Sequence, residues 1–463
     1  MPALLALGLT ACVVGPDYEE PTRTIPDAWQ TGTTEAVEVT EWWLEFGDAK
    51  LTELIEESVA KNLDLRAALA RIDEARAVYG ITSGRRIPDV NATGSYSRGK
   101  NSEASLGFPT ADASNYDVGL TASWEIDLFG HVRRSIEAAR ADYESVIASF
   151  RGVLVSLHAD VAEAYVNVRL NQRRIAIARS NFDSQGSSLT YVKNRHDAGA
   201  ASGLDLAQAE SNVASTEASI PPLEDSLTRS IHRLAVLVDK PFGVMRAELE
   251  ESAPLPSTSV GLTAGLPSEL LRRRPDVQQA ERTLAAETAR VGIQEADLYP
   301  RLDLAASFGL QSLHLDDLTD SGARRFAVTP SLLWNLFDGG RERGDIKAQE
   351  ARVRQAVANY EQTVLFALED VEAALSSGRR DRERVEALSR AVDAYRRSSE
   401  LSGELYRAGE ADFQNVLDAQ RNLLNFEDQM AVSEANVVLD VIALYLALGG
   451  SWEPTPETNE AQQ

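Results

Sequence analysis

Between Gly340 and Leu448 the apolar positions recur in helical phase, with no proline to interrupt them. Ile346, Val353, Val357, Tyr360, Val364, Val371 and Leu375 are spaced by 7, 4, 3, 4, 7 and 4 residues, the seam of a long packed helix. The same seam occurs earlier as Ile136, Tyr143, Ile147, Phe150, Leu154, Val161 and Tyr165, each 210 positions before its partner. Phase kept over that distance points to duplication of a long helical unit. Gly199 and Gly409, again 210 apart and flanked by short residues, read as tight reversals capped in the left-handed region. Each repeat therefore contains a helical hairpin. Its first arm, His131 to Asp197 or Arg341 to Arg407, spans roughly 100 Å at ~1.5 Å per residue, more than an ordinary globular core needs.

A shorter helix precedes each unit. Lys50 to Arg86 carries Leu51, Leu54, Ile55, Val59, Leu63, Leu65, Leu69 and Ile72 in phase and ends near Pro88. Ser268 to Leu298 ends at Pro300, 212 positions later. After each proline the period falls to two. Val90, Ala92, Gly94 and Tyr96 form one alternating run, and Tyr116, Val118, Leu120, Ala122, Trp124 and Ile126 a second. Leu302, Leu304, Ala306, Phe308 and Leu310 form a third, and Phe326, Val328, Pro330, Leu332, Trp334 and Leu336 a fourth. Period two over about ten residues with aromatic ends describes a membrane-spanning strand. Any single run would equally serve an amphipathic hairpin on a soluble core; four matched runs favour the membrane. Four strands cannot close a barrel, and lipid does not tolerate an open edge. The strands therefore require oligomerisation, and a cyclic trimer gives twelve. Pro221 and Pro222 predict a kink or break in the second arm of the first hairpin.

The resulting layout is mainly α with a membrane β portion. Residues 1–11 form a signal segment and 12–48 a tether with Pro16, Pro21 and Pro26, ending in an aromatic knot of Trp42, Trp43 and Phe46. Residues 49–240 form repeat 1, 241–265 a linker, 266–450 repeat 2, and 451–463 a disordered tail.

Charge removes one class of function. With 71 carboxylates against 46 Lys and Arg, net −25, no basic face remains for nucleic acid. No apolar run reaches eighteen residues, so no transmembrane helix is expected. The single cysteine, Cys12, follows Leu4 to Ala11, and Leu9-Thr10-Ala11-Cys12 resembles a bacterial lipobox whose thiol takes a diacylglycerol. A buried free thiol is the alternative. No Lys or Arg precedes the apolar run, which departs from signal peptides and leaves room for a start codon further upstream. Val13 and Val14 follow the cysteine, so by the same resemblance the inner-membrane retention signal is absent.

No catalytic constellation is visible, and no cofactor or metal is expected. His131, His158, His196, His232 and His314 are scattered; His158, Asp160 and Glu163 do not converge on one helix face. The polar residues of interest lie at the hairpin turns: Arg195, His196, Asp197, Asp205 and Gln208 in the first, Tyr406, Arg407, Asn415, Asp418 and Arg421 in the second. They read either as solvated helix ends or as a ring that narrows a tunnel, with symmetric copies of Asp418 concentrating negative potential.

Several stretches resemble the TolC/OprM-type outer membrane efflux factors, in the lipoprotein (NodT-like) branch that serves RND drug pumps. They are Cys12-Val13-Val14-Gly15-Pro16-Asp17-Tyr18, Trp42-Trp43 with Phe46-Gly47-Asp48, Trp124 to Gly130, Val416 to Gln420 and, most specific, Leu266-Pro267-Ser268-Glu269-Leu270-Leu271-Arg272-Arg273-Arg274-Pro275-Asp276-Val277. The resemblance implies a homotrimer with a 12-stranded barrel in outer membrane lipid, over a periplasmic α-helical barrel. It implies passive export of drugs or other small molecules once docked to a periplasmic adaptor and an inner-membrane RND pump. It places the periplasmic aperture at Tyr406, Arg407, Asn415, Asp418 and Arg421, and adaptor contact at Gly199, Ala200, Gly203, Leu204, Gly409, Glu410 and Phe413. Asn415 stands where some members carry a second aperture Asp, and Ala411 where they carry a linking Arg. A lipid-anchored periplasmic coiled-coil scaffold is the alternative; it explains the helices and needs no alternating strands. The export substrate is not legible.

Overall fold

The computed structural model describes residues 13–21, 26, 28–30, 41–100, 102, 104, 111–257, 264, 265, 267, 273–450 and 452. Cys12 with its preceding segment, Leu266, Ser268 to Arg272, and all of the expected tail except Trp452 lie outside the described residues. The chain divides into two compact units, one of residues 1–23, 71–147 and 279–362, the other of residues 24–70, 148–278 and 363–463.

The first unit holds the strands. Among the described residues β1 (Asp89–Gly99), β2 (Ala113–Ile126), β3 (Arg301–Ser312) and β4 (Arg324–Leu333) form one antiparallel sheet in that order. The register sorts the side chains onto two faces. Ala92, Leu120, Phe308 and Phe326 are cross-strand partners, as are Val90, Ala122, Ala306 and Val328. On this apolar face Leu120 is 51% exposed and Phe326 82%. The other face carries Thr93, Asp117, Thr121, Glu125, Asp303 and Arg325, with Arg325 paired to Asp117 through two 2.6 Å hydrogen bonds. Gly119 faces Gly309 at the centre; a Cβ on either would meet the partner backbone within 2.6 Å. Pro330 sits on β4, an outer strand of the single chain's sheet. The fourth run stops at Leu333, short of the expected Leu336. Asp338 there accepts the amides of Gly340 and Glu342, turning the chain into the next helix.

The tether is docked between helices of this unit. Val14 donates to the Phe129 carbonyl at 3.1 Å. Arg134, its side chain 4% exposed, donates to the carbonyls of Val14 and Gly15 and to Asp17 and Glu137. Gly15, at φ 87°, lies so close that a Cβ would sit 2.3 Å from Gly292 Cα.

The second unit shows where the helical pattern was punctuated. The run from Lys50 is two helices, α1 (Ala49–Lys61) and α2 (Leu63–Gly84), the latter continuing beyond this unit. Asn62 leaves the helical region (ψ 131°), caps the Leu65 amide with its side-chain oxygen, and donates to the Leu237 carbonyl. The long arms are α3 (His131–Asp197, 67 residues) and α7 (Arg341–Ala408, 68 residues). The returns are α4 (Gly203–Leu237) and α8 (Phe413–Ala447), 35 residues each. Of the kink or break expected at Pro221 and Pro222, the break does not occur: α4 runs through both prolines. Glu217 and Ala218, whose carbonyls lose their donors to the prolines, are exposed residues, a position at which the lost bonds are tolerable.

α5 (Phe242–Glu248) and α6 (Pro275–Ala296) complete the numbering. Arg274, just before α6, donates to the Ala447 carbonyl that ends α8 and pairs with Asp276 and Asp370. The Arg-Pro-Asp part of the motif is therefore a helix-end clamp. Trp42 stacks on Tyr445 at 5.3 Å and Trp43 meets the His158 ring at 4.7 Å, placing the aromatic knot in the core. Two helices nonetheless carry apolar windows of membrane length, by length and composition only. α3 and α8 each contain an 18-residue window apolar enough to span a bilayer, but half of the α8 window is buried inside the chain.

Candidate functional site at the hairpin turns

Both hairpins reverse at a left-handed glycine, Gly199 at φ 73° and Gly409 at φ 79°. The bonding is repeated as the duplication requires. Gly199 donates to the His196 carbonyl and Ala200 to that of Arg195; Gly409 donates to Tyr406 and Glu410 to Leu405. Ser202 and Asp205 cap α4 reciprocally, whereas Asp412, the matching residue before α8, makes no side-chain cap bond.

Beneath the turns lies an apolar cluster of Val192, Ala209, Tyr406, Phe413, Val416 and Leu417, which joins the two hairpins. Tyr406 is 7% exposed, with its ring 5.2 Å from Phe413 and 6.0 Å from Tyr191. Burial pushes the Tyr406 phenol pKa upward, and its hydroxyl finds no hydrogen-bond partner among the described residues. A cleft of about 350 Å³ adjoins it, lined in part by Ser187, Ser188, Arg407 and Gln420.

The five aperture candidates do not converge within one chain. Arg407 is exposed, and its Nε donates to the Gly403 carbonyl of its own helix. Asn415 and Asp418 are exposed; Asp418 accepts from Gln414 at 2.8 Å. Arg421 reaches the first hairpin, donating to Asn212 at 3.0 Å. Of the docking candidates, Gly199, Ala200, Gly203, Leu204, Gly409 and Glu410 lie on the surface or at its margin, with Leu204 67% exposed. Phe413 does not fit that role as expected. At 3% exposure it supports Tyr406 from inside.

Two sets of contacts were not legible in the sequence, although it had singled out Arg195 and Arg421 at the turns. Asn212, Gln420, Ser188 and Arg421 form a polar bridge between hairpins, with links of 2.9 to 3.4 Å. Arg195 carries the other. One guanidinium nitrogen donates to the Tyr406 carbonyl, the second to that of Ala200, both at 3.1 Å, while the group lies 4.9 Å from the Tyr406 ring centre. Its position one turn before Gly199 was the only sequence signal. Elsewhere, His158 is deeply buried and desolvation lowers its pKa to about 4. Among the described residues no set of three or more His, Cys, Asp or Glu side chains is placed to hold a metal.

Residues 54–238 and 266–450 match the outer membrane efflux protein family, one match per repeat. The chain is 32% identical over 453 residues to nodulation protein T of Rhizobium leguminosarum bv. viciae, covering 97% of this chain and 93% of that protein. It is 30% identical over 461 residues to the cation efflux system protein CusC of Escherichia coli O6:H1, covering 98% of each. Its fold superposes on the outer-membrane channel OprN with a TM-score of 0.91 and 36% identity, over 96% of this chain and all of that one.

Proposed function

The chain belongs to the outer membrane efflux protein family, and from that premise we propose how it forms and gates its channel. It is an outer membrane efflux channel subunit of a tripartite RND-type system. The sheet carries this reading: four strands, an exposed apolar face, a polar face, and two edges that no described strand covers. Lipid does not tolerate open edges, and the smallest membrane barrels have about eight strands. Three copies close twelve strands. The apolar face then meets outer membrane lipid, and the polar face lines the conduit for drugs or other small molecules.

In this reading the second-repeat turns converge on the trimer axis. Because Tyr406, Arg407, Asn415, Asp418 and Arg421 do not tie together within one chain, their joint effect comes from neighbouring subunits. A periplasmic adaptor grips the surface around Gly199 to Leu204 and Gly409 to Glu410, and the inner-membrane pump drives cargo into the opened conduit. Cys12 carries the acyl anchor, auxiliary to the barrel. No step needs a cofactor.

Single-channel recording in planar bilayers tests the gate. Wild-type trimers conduct poorly, and Tyr406→Phe with Arg407→Ser raises conductance. Asp418→Ala weakens cation selectivity and block by added multivalent cations. A wild-type channel already fully open, or an unchanged double variant, rules the gate out. SDS-resistant trimers from outer membranes separate this reading from a lipid-anchored scaffold.

A further inference from the structure

The Arg195 side chain bonds both a docking turn and an aperture residue. Its guanidinium donates to Ala200, inside the first turn, and to the backbone of Tyr406, at the end of the second hairpin's long arm. Its own carbonyl accepts the Ala200 amide at 2.7 Å, so backbone and side chain are both tied to the Gly199 reversal. Tyr191, one helical turn earlier, donates to the Arg407 carbonyl at 3.4 Å and packs edge-on against Tyr406. The first hairpin thus holds the last carbonyls of α7. The Tyr406 carbonyl also accepts the Gly409 amide, so Arg195 adds a second donor to it, and the partial negative charge at a helix C-terminus favours a cation there.

We propose that Arg195 couples the docking turn of the first hairpin to the aperture residue Tyr406 of the second, so that moving the one releases the other. The inference rests on the gate described above. Tyr406 is positioned through its backbone and ring face, since its hydroxyl finds no partner within the chain. The planar fork matters as much as the charge. Two carbonyls and a ring face are met by one rigid group, which an ammonium cannot reproduce. When a docked partner distorts the turn at Gly199 and Ala200, the fork loses its geometry on that side. Tyr406 is then free to swing with α7. Arg195 is accordingly a positioning residue, and it lines no part of the conduit in this proposal.

A double-variant cycle recorded on intact trimers tests it. Arg195→Ala raises open probability about tenfold, the scale set by one charge-assisted hydrogen bond. Arg195→Lys gives an intermediate rise. Gly199→Ala strains the turn at φ 73° without a clash, since nothing lies within 4 Å of the added Cβ. It opens the wild-type channel but adds nothing in the Arg195→Ala background. SDS-resistant trimers confirm assembly throughout, and Arg195→Gln replaces the alanine variant if that one fails to assemble. A closed wild type with an equally closed Arg195→Ala channel overturns the proposal, as do fully additive effects of the two substitutions. A wild type already open overturns the gate itself, which distinguishes the two failures.

Discussion

At the scale of single residues, burial decides what each polar group can do. His158 is held near a pKa of about 4, against an ordinary value of about 6.5, because its imidazole is shut among apolar neighbours beside Trp43. The unfolded chain takes up this proton as pH falls through about 6.5, and the folded chain only near 4. Stability is therefore full above about pH 6.5 and declines toward pH 4, by about 3 kcal/mol from this group. Urea midpoints measured at pH 7.5 and 4.5 should converge in His158→Phe relative to wild type. Arg274 gives a second test. Removing it by Arg274→Leu leaves Asp370 and the Ala447 carbonyl without their donor and should cost about 3 kcal/mol in thermal or urea unfolding. Tyr406 behaves differently. Its hydroxyl is unpartnered within the chain, so Tyr406→Phe should leave subunit stability unchanged or slightly raised. Any opening of the channel by that substitution then reports a contact with a neighbouring subunit.

At the scale of elements, the pattern of apolar positions was informative wherever one periodicity ran unopposed. The start of α3 at His131 and its end at Asp197 were legible, as was α7 to within one residue, because each seam runs unbroken to a capping glycine. The strands were legible from alternation alone. Asn62 was not, since its apolar neighbours stay in helical phase while its side chain reaches Leu237, 175 residues away. The prolines of α4 do not break it, because the carbonyls they deprive of donors belong to exposed residues. At the turns, sequence located the residues but not their partners. Phe413 looks like a surface residue beside Gly409 until Tyr406 is seen to pack on it. The sheet offers a direct test of two-sidedness. Leu120→Arg should destabilise the assembled channel by roughly 2–4 kcal/mol if Leu120 meets lipid at mid-depth, whereas Thr121→Arg on the polar face should be mild. Denaturant titration of trimers in liposomes compares them, and equal effects would refute a lipid-facing side.

At the scale of the whole molecule, the two hairpins of the sheet share one register. Asp89 pairs with Ser123 and, in the second repeat, Arg301 pairs with Leu333, displaced by 212 and 210 positions respectively. The junction between repeats, where Gly119 meets Gly309, therefore foretells the junction between subunits. The same displacements set Ser97 of one subunit opposite Thr329 of the next. Ser97→Cys with Thr329→Cys should yield disulfide-linked trimers on oxidation, visible on non-reducing gels. Ser97→Cys with Val328→Cys should not, because those side chains lie on opposite faces. If the junctions are equivalent, the ring does not distinguish a covalent boundary from a subunit boundary. A gene half as long, encoding one repeat, would suffice to close the same circle from six identical pieces. A single chain holding both halves lets them differ, and the turns do differ: the first has the reciprocal Ser202–Asp205 cap and an arginine reaching outward, the second has no side-chain cap at Asp412 and receives that grip.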